Sequence, residues 1–437
     1  MKILILNQPF DNNTGGGITL SNLFDGIDPD KVAVVCPAQL INSKTNFEKC
    51  NHYYQLGVLE QKWSFPFNLV RTQNPSGEVS SQKQNDGNLD FVSSEGSFKS
   101  RMVNDVFFPT IKYLGIHQAV YRLELSKELI DWINDFEPTL IYAQAQNFQE
   151  VSFCQSIKDE FDIPFVFHMM DDWISLASQS GISKFLWKKR TEYEFKKLLQ
   201  ESERVFSISD FMSTEYYSRY NVNSDVFHNP VDEGFWMQHQ KNDMTLNENP
   251  KILYAGRVGL GIDTSLILMA RAVEKLNKSF NTNVNFVVQT ESKPNWIDEF
   301  ESVIYRELVP YSELPLTFSR ADLLYLPYDF SKESIEFIKY SMPTKASEYM
   351  ICGTPILILA PKDTAIVMNA LKYGWASVLT ENSQVDLVNS LKELLFEPIT
   401  RANLSQNAIE VAIDQHSKTV VQNRFFKILH EISKPTK

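Results

Sequence analysis

Short apolar runs separated by longer amphipathic stretches organise this chain. Lys2–Leu6, Val32–Val35, Leu140–Ala143, Phe165–His168 and Val205–Ile208 have strand length and β-rich composition. A second series follows at Lys251–Ala255, Val284–Gln289, Leu323–Leu326 and Ile356–Leu359. The pieces between them read as helices. In Tyr121–Phe136, Leu125, Leu129, Ile133 and Phe136 recur at helical spacing, and the Glu137-Pro138 step ends the pattern. Strands alternating with helices predict βαβ units, and hence an α/β fold with two parallel doubly wound sheets, one for each series. The polar stretch Glu233–Pro250 between the series reads as a linker, so the chain divides near residue 240 into 1–240 and 241–414. Thr72 to Lys99 is rich in Ser, Gly, Gln and Asn and weakly periodic. It predicts a mobile insertion over 72–100.

A chain of 437 residues, 43% hydrophobic and 22% charged, is long enough for two cores. No apolar stretch approaches the roughly 20 residues a transmembrane helix needs, and Met1–Leu6 reads as a strand without a signal peptide's cleavage pattern. The expected location is the cytoplasm. Cys36, Cys50, Cys154 and Cys352 show no Cys-x-x-Cys spacing, which points to buried thiols and away from a structural metal. A net charge of −12 argues against nucleic acid as a partner, because that affinity comes largely from basic patches on phosphate. Any phosphate site must be local.

The segment Ser341 to Ala360 says most about chemistry. Ser341 suits a helix cap, Pro343 the first helical position, and Gly353 the helix stop before the apolar run Pro355–Leu359. The amides from Met342 to Lys345 are then unsatisfied donors at the positive end of a helix, and Lys345 adds a full charge, an arrangement that suits a diphosphate. Glu348 shares a face with Thr344 and Lys345, roughly 7 Å further along the axis, where a carboxylate can accept hydrogen bonds from a ribose diol. The plainer reading of these residues is a surface ion pair between Lys345 and Glu348.

The pattern Pro343-x-Lys345-x-x-Glu348-Tyr349-Met350-x-x-Gly353-x-Pro355 resembles the donor-site helix of GT-B fold glycosyltransferases, especially the retaining family 4. The resemblance implies two Rossmann-like domains facing across a cleft and a final helix, 415–437, that returns to the first domain. It also implies a metal-independent hexosyltransferase with no cofactor, taking a UDP or GDP type sugar donor. Such bacterial enzymes act on a glycan or lipid-linked acceptor, here in surface polysaccharide biosynthesis. In that family two glutamates stand eight positions apart, the first on the transferred sugar. Its place here falls on Tyr340, so Tyr340 and Ser341 are the donor-sugar candidates.

After the first strand, Asn7 to Gly17 ends in three glycines that lack the G-x-G-x-x-G spacing, and a flexible turn explains them equally well. The resemblance assigns Gly16 and Gly17 to close backbone contact with the donor diphosphate. In the second series, Arg257 follows a strand within Tyr254-Ala-Gly-Arg-Val-Gly-Leu-Gly261, at the sheet edge where ligands of doubly wound folds gather. The lysine that family 4 enzymes carry a few residues on is absent, leaving Lys345 or backbone amides to supply that charge. The run Ile163 to Trp173 delivers His168 toward a loop, with Asp171 and Asp172 beside it to orient the imidazole or accept a proton. The resemblance gives His168 a place near the donor sugar, and His168 with Asp172 are the catalytic candidates. Residues 184–197 interleave aromatic and basic side chains. A solvated basic face or a peripheral contact with the inner face of an anionic plasma membrane both fit, the latter implying a lipid-linked acceptor. A nucleotide-sugar epimerase and a non-catalytic nucleotide-sugar-binding partner share the same donor helix and remain alternatives.

Overall fold

The computed structural model describes all residues except 12–13, 66–67, 69–73, 81–119, 177–183, 260 and 435–437. The chain forms two compact units, Met1–Phe227 with Arg424–Lys437, and His228–Asn423. Of the insertion expected over 72–100, only 74–80 falls within the described residues, and it contains a strand. No described helix is long and apolar enough to cross a membrane.

The first unit contains strands β1 (Ile3–Leu6), β2 (Val32–Pro37), β3 (His52–Leu56), β4 (Gln61–Trp63), β5 (Gly77–Val79), β6 (Tyr121–Leu123), β7 (Leu140–Ala143), β8 (Phe165–Met169), β9 (Arg204–Ser207) and β10 (Asp225–Val226). Eight form one sheet in the order β10, β9, β8, β7, β1, β2, β3, β5, while β4 pairs with β6 alone. Every pairing in the large sheet is parallel except that of β3 with β5. The sequence explains why. Strands β1, β2 and β7 are buried along their whole length, as strands covered on both faces must be, so they read as unbroken apolar runs. The register sets Ile3 opposite both Val32 and Leu140. Helix α1 (Gly15–Leu23) follows β1, and α2 (Lys184–Glu201) lies between β8 and β9.

The helix expected over Tyr121–Phe136 is instead strand β6 followed by a helix over Lys127–Phe136. Ser126 decides the boundary, because its hydroxyl accepts the Leu129 amide at 3.1 Å. Upstream, Tyr121 stacks on Trp63 of β4 with centroids 5.6 Å apart, contacts that only an extended pair allows.

The second unit has strands β11 (Lys251–Ala255), β12 (Asn285–Gln289), β13 (Val303–Arg306), β14 (Leu323–Pro327), β15 (Ile356–Leu359) and β16 (Ser377–Leu379). They run parallel in the order β13, β12, β11, β14, β15, β16. The order turns around between β11 and β14, and a crevice opens beyond the carboxyl ends of strands at such a point. Helix α3 (Asp263–Phe280) follows β11, and α4 (Thr344–Ile351) precedes β15. The polar stretch 233–250 is packed into this unit. Trp236 is fully buried against Phe318, and Asn247 donates to the Asp322 carboxylate at 2.8 Å.

Helix α5 (Lys418–Ile432) begins in the second unit, and its residues from Arg424 onward belong to the first. There Phe425 packs edge-on against Phe24, Tyr142 and Phe227 with no exposed surface. Truncating such a residue to Ala costs about 3–5 kcal/mol, so this terminal helix is part of the first unit's core.

Candidate functional site

In the second unit, α4 starts bare. Pro343 takes the N-cap position in extended conformation (φ −66°, ψ 137°) and makes no side-chain capping bond. The expectation that Ser341 caps this helix is corrected. Its amide donates to Ile338, so Ser341 belongs to the turn that closes the preceding helix Lys332–Ile338. Proline offers no capping oxygen. Among the described residues the amides of Thr344 and Lys345 consequently have no hydrogen-bond partner, while Ala346 donates to Pro343. The remaining face of α4, Ala346 to Ile351, is buried. The Tyr349 hydroxyl accepts the Ala255 amide at 3.3 Å and thereby fixes the helix against the end of β11. At its other end, Gly353 turns the chain with φ +75°.

Gly256 is the first residue after β11, and the Lys345 side chain rests on it. A Cβ at Gly256 would lie 1.7 Å from Lys345 Nζ, so only glycine admits the amine there. The same amine stands 5.3 Å from the centroid of the Tyr254 ring, and the Tyr254 hydroxyl donates to the Arg257 carbonyl. Burial pushes the Lys345 amine down to about 8; Glu348 pulls it up and Arg257 pushes it further down. Glu348 is only 6% exposed, and burial raises its carboxyl to about 7 against the opposing pull of Lys345. The surface ion pair is therefore not what forms. Among the described residues neither the Lys345 ammonium nor the Glu348 carboxylate has a hydrogen-bond or ion-pair partner. A buried carboxylate and a half-buried ammonium on one helix face, neither paired by protein, suit a site shaped for a polar ligand.

The neighbouring loop completes the positive wall. Gly259 (φ +108°) and Gly261 (φ +86°) supply backbone that other residues rarely adopt. The Arg257 guanidinium folds over this loop, with Nη2 4.0 Å from where a Gly261 Cβ would be. The start of α3 is already occupied by protein carboxylates. Asp263 accepts the Gly259 amide at 2.7 Å, and Asp329 accepts the Ser265 amide at 3.0 Å. Among the described residues, the start of α4 leaves two successive amides, those of Thr344 and Lys345, for an anion. Met342 and Tyr340 are buried (7% and 4% exposed), and the Lys339 amine lies over the Tyr340 ring.

In the first unit the expected site residues are placed differently. Gly16 and Gly17 are not in a flexible loop; they form the first turn of α1. The Gly17 amide donates to the Thr14 hydroxyl at 3.0 Å, and the Asp11 carboxylate fills the space where a Gly17 Cβ would be. Gly17 therefore cannot offer that amide to a ligand. Gly16 lies beside the Gln8 side chain.

His168 is inside β8, not in a loop, and is 1% exposed. Its Nδ1 is 2.5 Å from the Tyr142 hydroxyl, and burial pushes the imidazole down to about 3. The Tyr142 hydroxyl in turn accepts from Gln144, leaving its proton for Nδ1. The neutral ring then carries its hydrogen on Nε2, which has no partner. Such a group can donate a hydrogen bond but is not a base near neutral pH, so the proton-accepting role is corrected.

Asp172 is also corrected as a catalytic group. Its buried carboxylate accepts from Tyr216 (2.6 Å), Ser175 (2.6 Å) and the Arg219 guanidinium (3.2 Å), which joins the loop after β8 to the helix Asp210–Tyr220. Every lone pair has work in the fold. Residues that sequence reasoning passed over are Tyr254 and Gly256, which seat the Lys345 amine, and Asp329, which closes the start of α3. The glycine pattern after β11 carried part of that signal; the packing of Tyr254 under a lysine ninety residues on did not.

No protein-family model matches the sequence, and neither does any curated protein. Solved structures do match over the whole chain. A sucrose-phosphate synthase from Thermosynechococcus elongatus superposes with a TM-score of 0.64 at 11% identity, covering 99% of each chain. Anabaena HepE in complex with UDP-glucose gives 0.57 at 13% identity, covering 99% of this chain and 100% of that one. A glycosyltransferase from Rickettsia africae gives 0.60 at 9% identity with full coverage of both. At such identities the likeness concerns the fold, and the chain has the GT-B fold of two Rossmann-like domains.

Proposed function

We propose that this protein is a glycosyltransferase that moves a sugar from a nucleoside-diphosphate donor to a hydroxyl of a glycan or lipid-linked acceptor. One observation carries the reading: a half-buried Lys345 and a buried Glu348, neither with a protein partner, side by side on a helix whose first amides are open, beyond the sheet's turning point. A nucleoside diphosphate satisfies all of them at once. Its phosphates accept from the Thr344 and Lys345 amides, the Lys345 ammonium and Arg257, and its ribose diol donates to Glu348. UDP-type donors are favoured by the HepE complexes with UDP and UDP-glucose.

In the transfer itself the anomeric carbon–oxygen bond breaks and its electron pair stays on the diphosphate. The acceptor hydroxyl oxygen bonds to the anomeric carbon, and its proton passes to the departing diphosphate. Charge therefore grows beside Lys345 and Arg257, where fixed positive groups lower the barrier without reorganising. Retention of configuration, independence of metal and a role in surface polysaccharide assembly belong to the same proposal and rest on the family 4 resemblance. An epimerase would need a free acid and base, whereas His168 is buried and not a base near neutral pH and the Asp172 carboxylate is held by Tyr216, Ser175 and Arg219.

Incubation with UDP- and GDP-sugars and a glycan acceptor tests the proposal. Release of nucleoside diphosphate together with a glycosylated product supports it. Interconverted nucleotide sugars, or binding without turnover, would reject it in favour of an epimerase or a non-catalytic partner.

A further inference from the structure

Helix α2 presents an outer face of unusual composition. Phe185, Leu186 and Tyr193 are 70%, 75% and 68% exposed. Lys189 lies four residues from Phe185, three from Leu186 and four from Tyr193, and Lys196 follows three after Tyr193, so these five share one side of the helix. Both lysines are exposed. Glu192, three residues from Lys189 and four from Lys196, borders this face and pairs with Lys188 at 3.9 Å, while Glu194 and Glu201 lie on other sides of the helix, Glu201 against Lys197 at 3.9 Å. Trp187 points inward. It meets Phe148 edge-on at 5.4 Å, and the Arg190 guanidinium lies over both rings. That stack holds the first turns of α2 to the body of the unit and leaves the rings of Phe185 and Tyr193 facing out.

We propose that this face docks the first unit on an anionic lipid surface. Charge complementarity selects the occupant. The chain carries −12 overall, yet the helix from Lys184 to Glu201 holds six basic residues against three acidic ones. Apolar rings among lysines suit the boundary between headgroups and acyl chains: the rings enter it, and the lysine stems reach back to the phosphates. The surface is independent of the donor site, which lies in the other unit. If that reading also holds, the docked enzyme meets a lipid-linked acceptor in the plane where it resides.

The test is co-sedimentation of the full chain with phosphatidylcholine vesicles and with vesicles of equal parts phosphatidylglycerol and phosphatidylcholine, at low and high salt. Each basic residue near such a surface contributes on the order of 1 kcal/mol, about fivefold in affinity, so Lys189→Glu with Lys196→Glu should weaken binding at least tenfold. Phe185→Ser with Leu186→Ser should also weaken it. Thermal melting of both variants should match the parent, because the side chains are exposed. The proposal is overturned if the parent does not prefer anionic vesicles, or if both variants bind as the parent does. It is likewise overturned if the parent is a dimer that the variants dissolve without vesicle binding, which makes the face a self-association surface. Nucleotide binding by calorimetry on the same samples reports the donor site separately.

Discussion

Replacing Glu348 by Gln keeps the side chain's shape and removes its charge, which should make the empty protein more stable and the donor complex weaker. The carboxyl is raised from 4.5 to about 7 by burial. A group held higher in the folded chain than in the unfolded one contributes fully below the unfolded value and loses that contribution as pH rises through the folded one. Here the window runs from about 4.5 to about 7. Above it the ionised carboxylate costs the fold on the order of 3 kcal/mol, at about 1.4 kcal/mol per pH unit. Part of this returns in the variant, because Glu348 also supports the charge on Lys345. The net expectation at pH 8 is a gain of about 1–2 kcal/mol for Glu348→Gln, falling below about 1 kcal/mol at pH 5, where the native carboxyl is protonated. Urea unfolding at the two pH values measures it, fitting each unit's transition separately. UDP affinity should fall by about 1–3 kcal/mol, roughly 5- to 150-fold, through the lost ribose hydrogen bonds. A variant that is destabilised equally at both pH values would show that the carboxylate has a structural partner, and the argument for a ligand would fail.

Replacing Lys345 or Arg257 by Ala should lower kcat more than nucleotide affinity, since their charge matters most as the leaving group develops; steady-state kinetics with unchanged kcat contradict this. Gly256→Ala puts a methyl group where the Lys345 amine sits, and a flexible amine can swing aside, so the protein should fold with a cost of about 1–2 kcal/mol yet lose most of its turnover. Melting and activity measured on one preparation decide it, and full activity would mean that the amine's seat is unimportant. Asp172→Ala leaves the Arg219 and Tyr216 donors without their acceptor and should destabilise the first unit by about 3 kcal/mol with UDP affinity unchanged. Calorimetry showing lost UDP binding in a folded Asp172→Ala protein would return that residue to the ligand site.

Much of the fold was legible because its central strands are covered on both faces. Ile3–Leu6, Lys251–Ala255 and Ile356–Leu359 carry enough consecutive apolar residues to be read without context. The strands that were missed are shorter or mixed. His52–Leu56 opens on a polar residue and leads to an antiparallel edge, and Ser377–Leu379 has three residues at the margin of its sheet. At the candidate site, the spacing of Lys345 and Glu348 was visible along the chain, but their burial was not. A Lys and a Glu three apart on a helix normally meet in water, and only the packing of Gly256, Tyr254 and Tyr349 around them removes that option. In the first unit the sequence brought His168 and Asp172 close in number. The strand continues through Met169, which buries the histidine, and Arg219 claims the aspartate from a helix whose approach no local pattern announces.

A structure of the protein with UDP bound tests the central claim most directly. The account predicts the diphosphate against the Thr344 and Lys345 amides with the Lys345 amine beside it, and the ribose hydroxyls on Glu348. Nucleotide bound elsewhere, or Lys345 and Glu348 left apart from it, would contradict the account.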